Sequence, residues 1–510
     1  MRKRPRVIIA APPPIRSVHS LLLAGLLATS CGEPPAATTV PTLPVGSVTI
    51  SPPSATILED ETVPLTVAVF DPAGGPLEGR PVVWRSSNPT IAEVSEDGVV
   101  RGIRLGTVRI TAASEEHADT ASVTVLLLFR SVSAGIEHSC GITQSRAAYC
   151  WGAGRRGRLG TGATESTTEP SLVQGNLEFL QIAAGFEFTC GLTVSQEAYC
   201  WGNNRFSQLG SGGKKDSWVP NPVAGGLRFR SVTGHSLHAC GLEMTESPVQ
   251  DESNAYCWGG NWYGEVGTGS RKGAFAPAPV VGELLLQSMG AGGSFTCGVA
   301  DAGTAHCWGD NRSGQLGAAS VGSRCMTPLG EEVPCSTVPV PVIGGPAFES
   351  VVSGWQHVCA LTADGAAYCW GDNSYGQLGN GSTTPSSTPV PVSGGLSFVL
   401  LTAGYGHTCG LTPGGIAYCW GDNASGALGT SATFESCGGH LCSTTPAPVA
   451  GGHVFKSLGA GGGAAGGHTC GVTTGGQAWC WGRNASGQLG VGIAAGTFSE
   501  PVLVEGQPAN

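Results

Sequence analysis

Cysteine and histidine are the residues in this 510-residue chain whose spacing bears most directly on chemistry, and there are 19 cysteines. Eighteen pair by local spacing. Seven pairs recur along the chain: Cys140 with Cys150, Cys190 with Cys200, Cys240 with Cys257, Cys297 with Cys307, Cys359 with Cys369, Cys409 with Cys419 and Cys470 with Cys480. Two more, Cys325 with Cys335 and Cys437 with Cys442, sit in longer stretches between repeats, and Cys31 is left over. A histidine stands two places before the first cysteine of five pairs (His138, His238, His357, His407, His468), and Phe188 and Phe295 replace it in the others. Thiolates with imidazoles could hold zinc, but zinc sites favour C-x2-C spacing rather than C-x9-C. Exchange with Phe marks a position that wants a ring, not a ligand. No metal and no cofactor is assigned.

Disulfides fit the spacing better. Folding Cys409–Leu411 back on Ala417–Cys419 sets Leu411 opposite Ala417 and the two cysteines directly across, on one face. Opposed residues of a non-hydrogen-bonded pair have Cα atoms about 4.5 Å apart, within disulfide reach. A crosslink closing about ten residues contributes roughly 2.5–3 kcal/mol on the chain-entropy model. Seven such bridges imply an oxidising compartment. Other chemistry is sparse: there is no Gly-x-Ser-x-Gly elbow, no phosphate loop and no carboxylate pair in a glycosidase-like context. The acids that follow Trp-Gly (Asp310, Asp372, Asp422) share their column with Ala153, Asn203, Gly260 and Arg483, which reads as turn formation.

These residues lie in one unit written seven times. It runs Ala403-Gly404-Tyr405-Gly406-His407-Thr408-Cys409, then Tyr418-Cys419-Trp420-Gly421-Asp422-Asn423, then Gly426-Ala427-Leu428-Gly429. The first cysteine recurs at steps of 50, 50, 57, 62, 50 and 61 residues. A period near 50 with four short apolar runs is a propeller blade, too thin to bury its own faces, so stability requires a ring. The 81 glycines and 34 prolines are therefore turn residues rather than low complexity.

Upstream, residues 47–126 alternate in period two with turn residues between short runs, predicting a β-sandwich. Residues 31–46 hold Cys31 and a Pro/Thr/Ala-rich spacer. Residues 1–30 carry a basic start and the apolar run 21–28, too short to cross a bilayer and fitted to a signal peptide. Basic residues number 26 against 36 acidic ones, and Arg2, Lys3, Arg4, Arg6 and Arg16 all precede Cys31. An acidic chain with no basic run beyond its leader excludes nucleic acid as the expected partner.

Three resemblances follow. The repeat, with its AG-xx-H turn, aromatic-Cys-Trp-Gly step and Gly-Gln-Leu-Gly turn (314–317, 376–379, 487–490), resembles that of the regulator of chromosome condensation family, which implies a seven-bladed β-propeller over 129–506. Trp84-Arg85-Ser86-Ser87-Asn88, Ile91-Ala92-Glu93-Val94 and Gly106-Thr107-Val108-Arg109-Ile110-Thr111-Ala112 resemble the bacterial immunoglobulin-like domain, group 2. Leu26-Leu27-Ala28-Thr29-Ser30-Cys31 resembles a lipobox with Ala28 where Leu is usual, which implies lipid attachment at Cys31; ordinary cleavage after Ser30 is the alternative.

The expectation is an all-β, exported and lipid-anchored protein of the cell envelope. Within each unit the first and third turns share a face. On it fall Phe186, Trp355 and Tyr405 from first turns, Phe206, Trp218, Trp262, Tyr263 and Tyr375 from third turns, and both cysteine-pinned insertions. The opposite face carries the acidic tip 243–254. Non-repeating aromatics on a rigid ring suit a protein or polysaccharide partner. An envelope lyase or hydrolase is the alternative. The nucleotide exchange of the family's namesake is opposed by the leader, the cysteines and the charge.

Overall fold

The computed structural model describes residues 43–508 apart from 245–252, 283, 319–320, 322, 328–329 and 433–434. The leader, Cys31, residues 32–42 and most of the acidic tip lie outside the described residues.

Alternation in the first domain becomes strands with one face inward. Ser54–Leu58, His117–Leu126, Gly106–Ser114 and Val83–Ser86 form one sheet, its first pair parallel. Thr62–Pro64, Val99–Gly102 and Ala92–Val94 form a second, and Ser47–Ser51 pairs with Thr66–Phe70. Ile110, Val123, Val125, Val100 and Ala112 are fully buried between them, with Trp84 packed at the margin. Trp84 needs a glycine opposite it: a Cβ on Gly98 (φ +80°) would lie 2.7 Å from its Cζ2.

The remainder is seven antiparallel blades, the third and fourth joined into one sheet where Ser253 and Asn254 pair with Leu286 and Leu285. Blade 1 has Phe129–Ala134 innermost, then His138–Thr143, Ala148–Gly152 and Thr167–Leu172. The other inner strands are Phe179–Ala184, Phe229–Gly234, Leu285–Ala291, Ser350–Ser353, Leu400–Ala403 and Phe455–Gly463. Each packs against the next, and the last packs against the first, so the ring closes. Every blade is built from one contiguous stretch, with no strand exchanged between the ends of the chain. Closure therefore rests on contacts between blades.

Those contacts explain the repeat. The His407 ring in blade 6 lies 3.0 Å from Thr469 Oγ1 in blade 7, whose hydroxyl donates to Ala427 O in blade 6. With that proton committed, His407 Nε2–H is the donor to Thr469. The same clasp joins His138 to Thr189, His238 to Thr296 and His357 to Thr408; His468 to Ser139 closes the circle between blades 7 and 1. Where Phe188 and Phe295 replace histidine, the facing residues are Ala239 and Val358, which carry no hydroxyl. Ring and partner change together. The glycine of the AG turn makes room for the ring, since a Cβ on Gly404 would lie 2.5 Å from His407 Cε1.

A second clasp runs from tryptophan. Trp420 Nε1 donates to Gln377 O (2.9 Å), and Trp151, Trp258, Trp308, Trp370 and Trp481 do the same to the preceding blade. The glycine ending each Gly-Gln-Leu-Gly turn lies flat on that indole; a Cβ on Gly379 would be 2.7 Å from Trp420 Nε1. Outer strands carry prolines, among them Pro220, Pro222, Pro389, Pro391, Pro446 and Pro448. Proline removes the N–H groups through which exposed edges would pair with other chains.

The sandwich strand ending at Leu126 runs almost directly into Phe129. Between them Leu127 is fully buried and donates its N–H to Gly506 O (2.8 Å). Ser145 donates to Glu59 (2.6 Å), and Leu105 N–H reaches Tyr149 Oη (3.4 Å). Burial raises the pKa of both Glu59 and Tyr149.

Candidate functional site

The cysteines brace every blade. Leu411 faces Ala417 and Cys409 faces Cys419, and the same register recurs in the other six blades. Cys150 is bonded to Cys140, Cys200 to Cys190, Cys257 to Cys240 and Cys307 to Cys297. Cys369 is likewise bonded to Cys359, Cys419 to Cys409 and Cys480 to Cys470. All fourteen sulfurs are therefore in bridges between second and third strands, with Cα atoms 4.0–4.1 Å apart. That separation is shorter than the 4.5 Å expected for directly opposed residues, because the bridge draws the two strands together. Cys325 is bonded to Cys335 and Cys437 to Cys442, each within a hairpin added to a third turn. Glu435 approaches the latter sulfurs, but sulfurs joined to each other are not thiolate ligands.

On the face bearing these hairpins, the structure draws the aromatics into groups. Trp355 lies 5.3 Å from Tyr405 and 6.0 Å from His235, ring centre to ring centre. His235 lines the central channel just past the inner strand of blade 3, together with Ser133, Thr233, Ser353 and Thr402 of the inner strands. Trp355 also crosses Gly293, where a Cβ would lie 2.3 Å from its carbonyl oxygen. It thus touches blades 3, 4 and 6 from its own blade 5, at the channel mouth. Tyr375 stacks on His440 (5.1 Å) of a pinned hairpin, and Phe206 meets Trp262 edge-on (5.1 Å). Phe186 donates its backbone N–H to His235 O (3.0 Å). Trp218, expected in a third turn, instead lies in the outer strand Ser217–Pro222 of blade 2, at the rim and 51% exposed, because that turn ends at Asp216.

Tyr263 corrects the expectation that it faces a partner. It is 6% exposed, packed against Cys325, Val333 and Cys335 with Arg312 over its ring at 5.2 Å. The inserted hairpin needs an apolar floor, and Tyr263 is that floor.

Most blades place Gln in the third turn (Gln208, Gln315, Gln377, Gln488), but blades 1 and 3 have Arg158 and Glu265, both buried. Arg158 donates to Phe186 O (3.2 Å) and Glu187 (3.3 Å); Arg156 links Glu187 (3.5 Å) to Asp216 (3.0 Å), and Arg483 pairs with Glu137 (3.5 Å). Blades 7, 1 and 2 therefore carry an ion-paired cluster beside the Phe186, Phe206 and Trp218 of blade 2, and blade 4 adds the Arg312–Asp310 pair (2.9 Å). Glu265 has no cation beside it among the described residues; it accepts N–H bonds from Trp262 (3.2 Å) and Tyr263 (2.7 Å), and burial pushes its pKa up to about 7.

One constellation has the residue types of a hydrolase. Asp422 lies 3.6 Å from His440, and both line a cleft with Ser425. Ser425 is buried, however, and its hydroxyl donates to Gly467 O (2.8 Å) while accepting Gly467 N–H (3.0 Å). A hydroxyl so committed is a brace, not a nucleophile. Sequence reasoning did not single out His235, His440, Arg158 or Phe275. The signal for Arg158 was its departure from the Gln column; His440 becomes visible only once the hairpin folds back.

Comparison with known proteins agrees with this architecture. Two models described as the regulator of chromosome condensation (RCC1) repeat match residues 129–158, 179–208, 287–315, 348–377, 398–427 and 466–488, and 147–192, 196–242, 302–361 and 364–411. Together they span more than half of the chain, which belongs to this repeat family. A bacterial Ig-like domain (group 2) model matches residues 44–125. Among solved structures, yeast RCC1 (Prp20) bound to Kap60 aligns with TM-score 0.59 and 19% identity over 74% of this chain and 85% of that one. Prp20p from Saccharomyces cerevisiae, described with binding properties to Gsp1p and histones, gives 0.59 and 20% over 74% and 87%. Human WBSCR16 gives 0.57 and 18% over 74% and 92%. At these identities the likeness is one of fold.

Proposed function

We propose that this chain is an exported binding scaffold, held at the cell envelope by a lipid on Cys31, whose propeller presents its first-and-third-turn face to a protein or polysaccharide partner. The observation that carries this reading is the Trp355–Tyr405 pair over the channel mouth, with Tyr375 and His440 in the same two blades. The first-turn residues that correspond to them in blades 1 to 4 are Ile136, Phe186, Ser236 and Gly293, which form no ring pair with one another, so the fold does not require one there. Large rings on a disulfide-braced framework lose little entropy on binding, which is what an affinity surface needs. Nine disulfides support export, since a reducing cytosol would not keep them.

The test is crosslinking on intact cells followed by capture of the full chain. Replacing Trp355 and Tyr405 by alanine is expected to lower partner recovery at least tenfold with an unchanged melting temperature. Undiminished recovery removes this face. Thiol labelling under denaturing, non-reducing conditions is expected to find none of the eighteen paired cysteines, and labelled pairs would remove export.

A further inference from the structure

The periodicity of the outer strands isolates a second feature on the rim. In six of the seven third turns a glycine touches one residue of the next blade's outer strand; blade 2 has Ser207 in its place. That residue is Thr168 against Gly487, Thr337 against Gly264, Ser387 against Gly314, Thr444 against Gly376 and Ser499 against Gly426. A small hydroxyl residue thus satisfies the position. Blade 2 has Trp218 there, against Gly157. Blade 3 has Phe275, whose carbonyl accepts the Gly212 N–H just as Trp218 O accepts that of Gly162. Two neighbouring blades therefore replace hydroxyl residues by large rings, and the rings are 51% and 50% exposed. Gly157 covers part of the Trp218 ring and Lys214 part of that of Phe275, and the rest of each ring faces solvent.

Trp218 borders an open groove of about 1,170 Å³ between blades 1 and 2. Arg205, Lys214 and Lys215 line it, and Lys214 Nζ sits 5.5 Å from the centre of the Phe275 ring. Arg156 is engaged by Asp216 and Glu187, whereas Arg205 and Lys215 have no ion-pair partner among the described residues. The chain as a whole carries a formal charge of −10, so this concentration of cations runs against its composition. Gln174 and Asn221 add side-chain amides to the walls.

We propose that this groove binds a chain of acidic sugars. An exposed indole stacks on the C–H face of a pyranose ring, amides meet its hydroxyls, and the three cations pair with successive carboxylates. The volume exceeds the roughly 300–1,000 Å³ typical of small-molecule pockets, and the groove is open, as an extended ligand requires. An anionic headgroup or an acidic peptide would use the cations but not the flat indole flanked by amides, while Phe275, outside the groove wall, holds Lys214 at its edge. The assignment rests on the reading of the propeller as a binding scaffold and gives one part of its face a ligand class.

Affinity electrophoresis and calorimetry of the full chain with polygalacturonate test it. Trp218→Ser and Phe275→Thr install the residue types that sibling blades already carry, so both variants are expected to melt as the parent does. The parent is expected to bind polygalacturonate and not neutral dextran, with affinity falling as salt rises. Each aromatic variant, and Lys214→Ser with Lys215→Ser, is expected to weaken binding at least tenfold. Absence of polygalacturonate binding, or binding indifferent to all three changes, overturns the proposal. So does equal, Trp218-dependent binding to poly-glutamate or to phosphatidylcholine vesicles containing phosphatidylglycerol. Failure here with Trp355-dependent capture intact leaves the scaffold reading standing; loss of that capture alone leaves the groove.

Discussion

His407 and Thr469 act as a unit, and so do their counterparts around the ring. Thr469→Ala alone leaves a buried imidazole N–H unpaired, an expected cost of about 1–3 kcal/mol. His407→Phe alone crowds a hydroxyl. The double variant recreates the Phe188–Ala239 pairing already present between blades 2 and 3. It should be closer in stability to the parent than the sum of the single changes, by about 1–2 kcal/mol in a denaturant double-mutant cycle. Glu265 offers a second residue-scale prediction. Its folded pKa of about 7 exceeds the unfolded value of 4.5, so the folded form binds the extra proton. Its contribution to stability is greatest below pH 4.5 and is lost as pH rises through 7. Glu265→Gln, the residue of sibling blades, should therefore stabilise by roughly 1–3 kcal/mol at pH 8 and little at pH 4.5, read from urea melts.

At the scale of the element, the second and third strands of each blade form a hairpin closed by its own sulfur bridge. Cys409→Ser with Cys419→Ser should cost about 2–3 kcal/mol in chemical denaturation, mostly through the greater freedom of the unfolded chain. The register of these hairpins is legible in the sequence, because a cysteine spacing of ten with small residues between leaves one natural way to fold back. The inserted hairpins are not. The spacing of Cys325 and Cys335 assigns them to a third turn, but that their floor is Tyr263 depends on which way the insertion leans. A sequence cannot distinguish a ring that faces solvent from one that supports a loop arriving sixty residues later.

Across the whole molecule, closure depends on side-chain clasps distributed between blades rather than on a shared strand. Burial holds His407, His468 and His238 down to about 3 and His357 to about 4, with His138 also well below its ordinary range. Each is neutral in the ring and protonates near pH 6.5 in the unfolded chain. Stability from these clasps is complete above pH 6.5 and is lost as pH falls from there towards 3. Thermal melts should show a plateau from pH 7 upward and a steep decline below 6.5. The His407→Phe, Thr469→Ala variant should make that decline shallower.

The seven units, their strand register and the sandwich ahead of them are legible in the chain alone, because periodicity and turn chemistry are local properties repeated often enough to be read. Repeated residues separate from odd ones there as well. What the repeated residues do emerges with folding, since a histidine and its hydroxyl partner lie in different blades and meet only once the ring has closed. Folding decides the odd residues too. Trp355 is brought to Tyr405 and His235, Tyr263 is covered, and Trp218 and Phe275 are left in the open, because curvature and insertion, not spacing along the chain, set which side chains share a surface.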